Sequence, residues 1–161
     1  FACSPVEIVD VPDGHLLLQT LRSHDQFNTT IYGLSDRYRG IEGGRRVVFA
    51  HPDDITALGY RDGDHVDLVT HWGGDDHIRC ATDFRLVAYD VPRGTAAAYY
   101  PETNPLVPLD STALKSNQPV SKSVVVRFTE AGSQECAAQG AQGALGHDWS
   151  HKSRPEIRHL S

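Results

Sequence analysis

Val48-Phe49-Ala50-His51-Pro52-Asp53-Asp54-Ile55-Thr56-Ala57-Leu58-Gly59-Tyr60-Arg61-Asp62-Gly63-Asp64-His65-Val66 holds a strand, a helix, a turn and a second strand in one continuous phrase. Arg45 to Ala50 reads as a strand. From His51 to Gly59 the grammar is that of a short helix. Pro52 stands near its first position, Asp53 and Asp54 fill the first turn against the dipole, and Gly59 stops it. Asp62-Gly63 then turns the chain into Asp64–Thr70, where Val66 and Leu68 alternate with His65 and Asp67 as in a half-buried strand.

The same alternation recurs outward from this phrase. Upstream, His15 to Leu21 reads as a buried strand, followed by the polar run Arg22 to Thr30 and a glycine-rich loop from Gly33 to Gly44. Downstream, Ile78 to Tyr89 is a long strand with Phe84, Leu86 and Ala88 on one face. Pro92-Arg93-Gly94 is a tight turn, 95–122 is largely irregular, and Ser123 to Phe128 forms a last strand. Val66, Leu68, Phe84, Leu86, Val124 and Val126 are the expected inward residues. Many short strands with little helix predict a mainly β domain closed into a barrel, since an open sheet would leave edges exposed. The expected organisation is a flexible flank over 1–13, the barrel domain over 14–130 and a weakly ordered tail over 131–161.

Composition narrows the function. The 161 residues carry a formal charge of −6, which disfavours a nucleic-acid surface built on clustered Lys and Arg. No run of 18 apolar residues is present, so no transmembrane helix is expected. Cys3, Cys80 and Cys136 are widely spaced and form no Cys-x-x-Cys, which predicts ordinary thiols in a reducing, cytoplasmic setting. The chain starts at Phe1 and has no Met, the expectation being a piece of a longer polypeptide.

Phosphate-loop, dinucleotide-fold, serine-hydrolase and zincin motifs are all missing. His65, His71 and His77 recur every six residues, and His147 and His151 stand four apart. Neither spacing fixes a tetrahedral site, so solvated histidines are expected and no metal ligand is assigned. Three polar segments, Arg22–Thr30, Tyr99–Leu106 and Leu114–Ser123, each lie beside a strand. Each reads either as a self-capped turn or as the rim of a ligand site.

Four segments in order, Leu21–Gly33, Val48–Val66, Tyr100–Val107 and Pro119–Lys122, resemble the last domain of the molybdopterin oxidoreductase family, in the branch of formate dehydrogenase alpha subunits. The resemblance covers roughly residues 14–129. It implies a six-stranded double-psi β-barrel with short helices that caps a pair of molybdopterin guanine dinucleotides holding molybdenum or tungsten. Carried over by motif position, cofactor contacts would come from Arg22, His24, Asn28 and Thr29, then Asn104, then Asn117, Gln118 and Lys122. The partners implied are the preceding domains of the same polypeptide and the cofactor, with no nucleic acid and no membrane. The domain by itself is expected to be inactive and free of cofactor. The alternative is a stand-alone double-psi enzyme of decarboxylase or protease type. No Asp-Thr-Gly or Asp-Ser-Gly occurs to support it, and the single Gly-Ser, Gly132-Ser133, falls beyond the last strand.

Overall fold

The structure is a computed structural model that describes residues 8–28, 30–72, 77–113 and 116–138. Thr29, residues 73–76 and most of both expected flanks (1–7 and 139–161) lie outside the described residues, and His147 and His151 with them. The elements run β1 (Leu16–Leu21), β2 (Gln26–Phe27), β3 (Thr30–Ile31), β4 (Val47–Ala50), α1 (Pro52–Ala57), β5 (His65–His71), β6 (Ile78–Ala88) and β7 (Thr95–Tyr99). A short 3-10 helix, Asn104–Leu106, precedes β8 (Lys122–Glu130). Six strands close a barrel in the order β1-β7-β4-β6-β5-β8, while β2 and β3 form a separate two-stranded sheet. The pairs β1–β7 and β4–β6 are parallel and the other four contacts antiparallel. The mainly β, six-strand closed barrel with short helices agrees with the sequence expectation.

Side-chain alternation sorts this barrel into two apolar layers. Leu16 and Leu18 of β1, Val48 and Ala50 of β4, Ala96 and Ala98 of β7, and the six residues expected inside all pack in one core. The intervening Val47, Phe49, Ala97 and Tyr99 point outward, yet they are buried against Ile41 in a second cluster. β4 is buried throughout because the 33–45 loop covers its outer face, which is why it reads as an unbroken apolar run. α1 follows the sequence reading, with Pro52 and the acids in its first turn, and the structure adds a cap: His51 accepts the Asp53 N–H on Nδ1 at 3.1 Å.

Two expectations are corrected on the other side of the barrel. β5 is not half-buried: Val66 to Thr70 are all inside, and Asp67 is 0% exposed. The cause is the segment after β8. Asp67 accepts N–H bonds from Asp83 at 2.9 Å, Gly132 at 3.0 Å and Ser133 at 3.3 Å, so its buried carboxylate is met by backbone donors. It does so at a break in β5–β6 register between Val66 and Leu68, where the bulge turns Asp67 toward these groups. The packed chain therefore continues past Glu130. Residues 134–138 are helical, and Arg127 binds Glu135 at 2.5 Å.

The second correction concerns the cysteines. Cys80 and Cys136 are joined by a disulfide, with their Cα atoms 5.6 Å apart across 56 residues of sequence. The return of the 131–138 segment over β6 creates that proximity, which linear spacing does not reveal. With the bridge in place, cysteine content no longer points to a reducing compartment. Among the described residues, no helix is long and apolar enough to cross a membrane.

Leu86 is wholly buried in the barrel interior. Leu86→Ala is expected to lower stability by about 2–5 kcal/mol, the range for opening a core cavity. Urea unfolding followed by circular dichroism measures it, and a loss under about 0.5 kcal/mol would place Leu86 at the surface instead.

Candidate functional site

The first polar segment leaves β1 at Leu21 and the second leaves β7 at Tyr99, and these two residues are register partners in a parallel pair. The third segment enters β8 at Lys122, which lies opposite Gln19 of β1. Strand order thus delivers three polar loops from distant parts of the sequence to one end of the barrel. Between them lies a cleft of about 340 Å³, lined by Thr20, Leu21, Arg22, Tyr100, Gln118, Pro119, Ser121 and Lys122.

Arg22 and Lys122 carry the charge of this cleft. Arg22 stands over the Tyr100 ring, its guanidinium carbon 5.9 Å from the centroid. The Lys122 ammonium donates to the Thr20 carbonyl. Partial burial, and then the positive charge of Arg22, hold the Lys122 pKa below its ordinary value. Among the described residues, neither cation has a carboxylate partner. Two cations that repel each other beside one cleft favour a bound anion, because it would relieve the repulsion that lowers the Lys122 pKa.

Of the other residues carried over by motif, Gln118 lines the cleft. Asn28 sits at its edge in a left-handed conformation, φ 50°, and its carbonyl accepts the Tyr100 hydroxyl at 2.7 Å. Asn117 is also left-handed, φ 51°, and exposed on the turn that presents Gln118. Asn104 opens the 3-10 helix, which packs on β6 and β5, and is outside the cleft lining. His24 is likewise outside that lining, and both of its ring nitrogens are engaged. Arg37 donates to Nε2 at 2.7 Å, so Nε2 accepts, and the hydrogen on Nδ1 goes to Asp25 at 2.6 Å.

Sequence reasoning missed the residue that holds the loops together. Arg45, read only as the start of a strand, is 4% exposed. Its guanidinium binds Glu102 at 2.7 and 3.1 Å, Gln26 Oε1 at 2.8 Å, the Tyr100 carbonyl at 2.8 Å and the Ser23 hydroxyl. It also lies over the Tyr99 ring at 4.9 Å. Gln26 completes the tie, its amide nitrogen donating to the carbonyls of Tyr100 at 2.8 Å and Asn28 at 3.3 Å. A second buried anchor, Asp36, accepts from Tyr99 Oη at 2.7 Å and from Arg39 at 2.5 Å, while Arg39 also reaches the Arg22 carbonyl at 3.3 Å. The Arg45–Glu102 spacing of 57 residues has no local signature, so no sequence signal marks the pair.

Arg45→Met is expected to destabilise the chain by about 3–5 kcal/mol, because Glu102 and the carbonyls around it lose their buried partner. A melting temperature within one degree of the parent chain would show that the loops are held otherwise. Asp36 predicts a pH effect. Burial would raise its pKa, but the hydrogen bonds from Tyr99 and Arg39 outweigh it, and the carboxyl titrates below its usual value. A carboxylate depressed by folding stabilises the native state above its unfolded pKa, and that contribution is lost as pH falls through the folded value. Asp36→Asn should therefore be less stable at neutral pH and lose less stability on acidification below about pH 4. Chemical unfolding across pH 2–7 measures both.

Residues 16–138 match the family described as "Molydopterin dinucleotide binding domain". The chain is 63% identical over 131 residues to uncharacterized oxidoreductases of Mycobacterium bovis and Mycobacterium tuberculosis, covering 80% of this chain and 17% of each relative. It is 37% identical over 117 residues to protein YdeP of Escherichia coli K12, covering 72% of this chain and 15% of that protein. The chain thus spans less than a fifth of the length of these relatives. The match runs the whole length of the barrel, and the chain belongs to the molydopterin dinucleotide binding domain family.

Proposed function

We propose that this chain is the cofactor-capping module of a larger molybdopterin oxidoreductase of the formate dehydrogenase type, and that the cleft at the end of β1, β7 and β8 receives the dinucleotide. The observation that carries this reading is the pair Arg22 and Lys122, two cations without carboxylate partners beside one cleft. Their chemistry fits the group. A pyrophosphate calls for guanidinium and ammonium donors, and a pterin or guanine edge calls for paired donors and acceptors such as the Gln118 amide. Asn28 and Asn117 would extend that polar rim, and Asn104 would join from the Tyr99–Leu106 segment. His24, held between Asp25 and Arg37, would shape the rim rather than bind.

When bound, a bis-molybdopterin guanine dinucleotide supplies the metal, molybdenum or tungsten, at which two-electron oxidation takes place. This chain would bind and orient the cofactor and keep water from one side of it. The metal ligands and substrate pocket would lie in other domains of the same polypeptide, so the 161-residue chain is expected not to oxidise formate.

In the full-length polypeptide, Arg22→Ala and Lys122→Ala should each weaken cofactor retention about ten- to a hundredfold, the worth of a charged hydrogen bond. Each should change the stability of the 161-residue chain by no more than about 0.5 kcal/mol, as for surface substitutions. Pterin fluorescence and guanine nucleotide released on denaturation measure the load. A double variant that keeps a full load through dialysis would sink the assignment.

A further inference from the structure

The nine large apolar side chains exposed among the described residues are unevenly spread. Ile8, Val9, Ile78, Tyr89 and Leu109 lie singly or at the described chain end, whereas Phe27, Tyr32, Leu34 and Tyr38 fall within twelve residues. These four are 67%, 72%, 62% and 71% exposed. Single exposed apolar residues need no explanation, but a contiguous set does.

Three of the four, Phe27, Tyr32 and Tyr38, are linked in space. The Phe27 and Tyr32 rings meet edge to face with centroids 6.0 Å apart. The Tyr32 N–H bonds the Asp25 carbonyl at 2.9 Å, Asp25 holds His24, and His24 stacks on Tyr38 at 4.5 Å. Arg37 lies over the other ring of this end, 5.3 Å from the Tyr38 centroid. The loop is placed beneath these rings by Asp36, Gln26 and Arg45. The ridge is held in shape without being covered.

Its composition is that of a protein interface. Aromatic residues and Arg dominate, charged Asp25 and Arg37 border it, and no Lys occurs between Arg22 and Arg46. It also adjoins the cleft, since the Asn28 carbonyl next to Phe27 binds the Tyr100 hydroxyl that borders the anion site. The relatives are several times longer than this chain, so a protein partner in covalent reach is at hand.

We infer that the Phe27–Tyr38 ridge is the surface on which this domain docks against the remaining domains of the same polypeptide, beside the dinucleotide cleft. The inference rests on the reading of the chain as a module of a larger oxidoreductase. Phe27 and Tyr32 are its apolar anchors and Arg37 its polar border.

Hydrogen exchange of peptides carrying Phe27 and Tyr32, compared between the 161-residue chain and the full-length polypeptide, tests it. Exchange should slow at least tenfold in the full-length protein. A Phe27→Ser, Tyr32→Ser double variant should return it to the rate of the 161-residue chain without altering that chain's own melting temperature. Equal exchange in both proteins overturns the docking surface, whatever the cofactor load. A protected ridge in an Arg22→Ala, Lys122→Ala protein that still holds its cofactor overturns the cleft assignment and leaves the ridge standing. If the 161-residue chain sediments as a dimer that Phe27→Ser dissociates, the occupant is a second copy and the inference fails.

Discussion

The geometry of the cleft depends on one buried guanidinium. Arg45 joins the loop after β1 to the loop after β7 by binding Ser23, Gln26, the Tyr100 carbonyl and Glu102. An arginine can do this because its planar fork presents five donors in fixed directions and keeps its charge when buried. Its cost of desolvation is met by a carboxylate, a carbonyl, an amide and a hydroxyl at once. Without that node, Arg22 and Tyr100 would belong to two independent loops and the cleft would have no fixed wall.

The barrel beneath supplies the other requirement, which is proximity. Parallel pairing places the carboxyl ends of β1 and β7 side by side, and antiparallel pairing brings the start of β8 to the same edge. A polar loop attached to each of these three points must emerge at one end. Stability and function are thereby separated. The interior is a continuous apolar cluster, while the groups proposed to meet the cofactor lie on loops and at the first residue of β8, outside that core.

The buried carboxylates Asp36, Asp54 and Asp67 follow one rule: each finds several partners. Asp67 meets backbone N–H groups at a bulge, and Asp36 meets Tyr99, Arg39 and the Tyr38 N–H. Among the described residues, no buried side-chain nitrogen or oxygen lacks a hydrogen bond. Arg22 and Lys122 stand apart from this pattern of charge pairing, and the contrast gives their exposed cleft its meaning. The aromatic ridge beside it is the apolar counterpart, a surface that is shaped but not covered.

The alternation of Val66 and Leu68, of Phe84 and Leu86, and of Val124 and Val126 determined the inward face of three strands, because a two-residue period leaves no other phase for a buried side chain. The grammar of His51–Gly59 likewise determined α1, since its proline, acids and stop glycine all act within eight consecutive residues. The polar density of Arg22–Thr30 and Leu114–Ser123 marked the loops that border the cleft. Only the tertiary structure decided that Arg22, Gln118 and Lys122 share one cleft while Asn104 and His24 stand outside its lining. It alone also decided that Arg45 meets Glu102, that Asp67 is buried and that Cys80 bonds Cys136. These are contacts between residues 56 to 102 apart or made by a returning segment, and local periodicity carries no information about which distant groups the closure of a barrel will bring together.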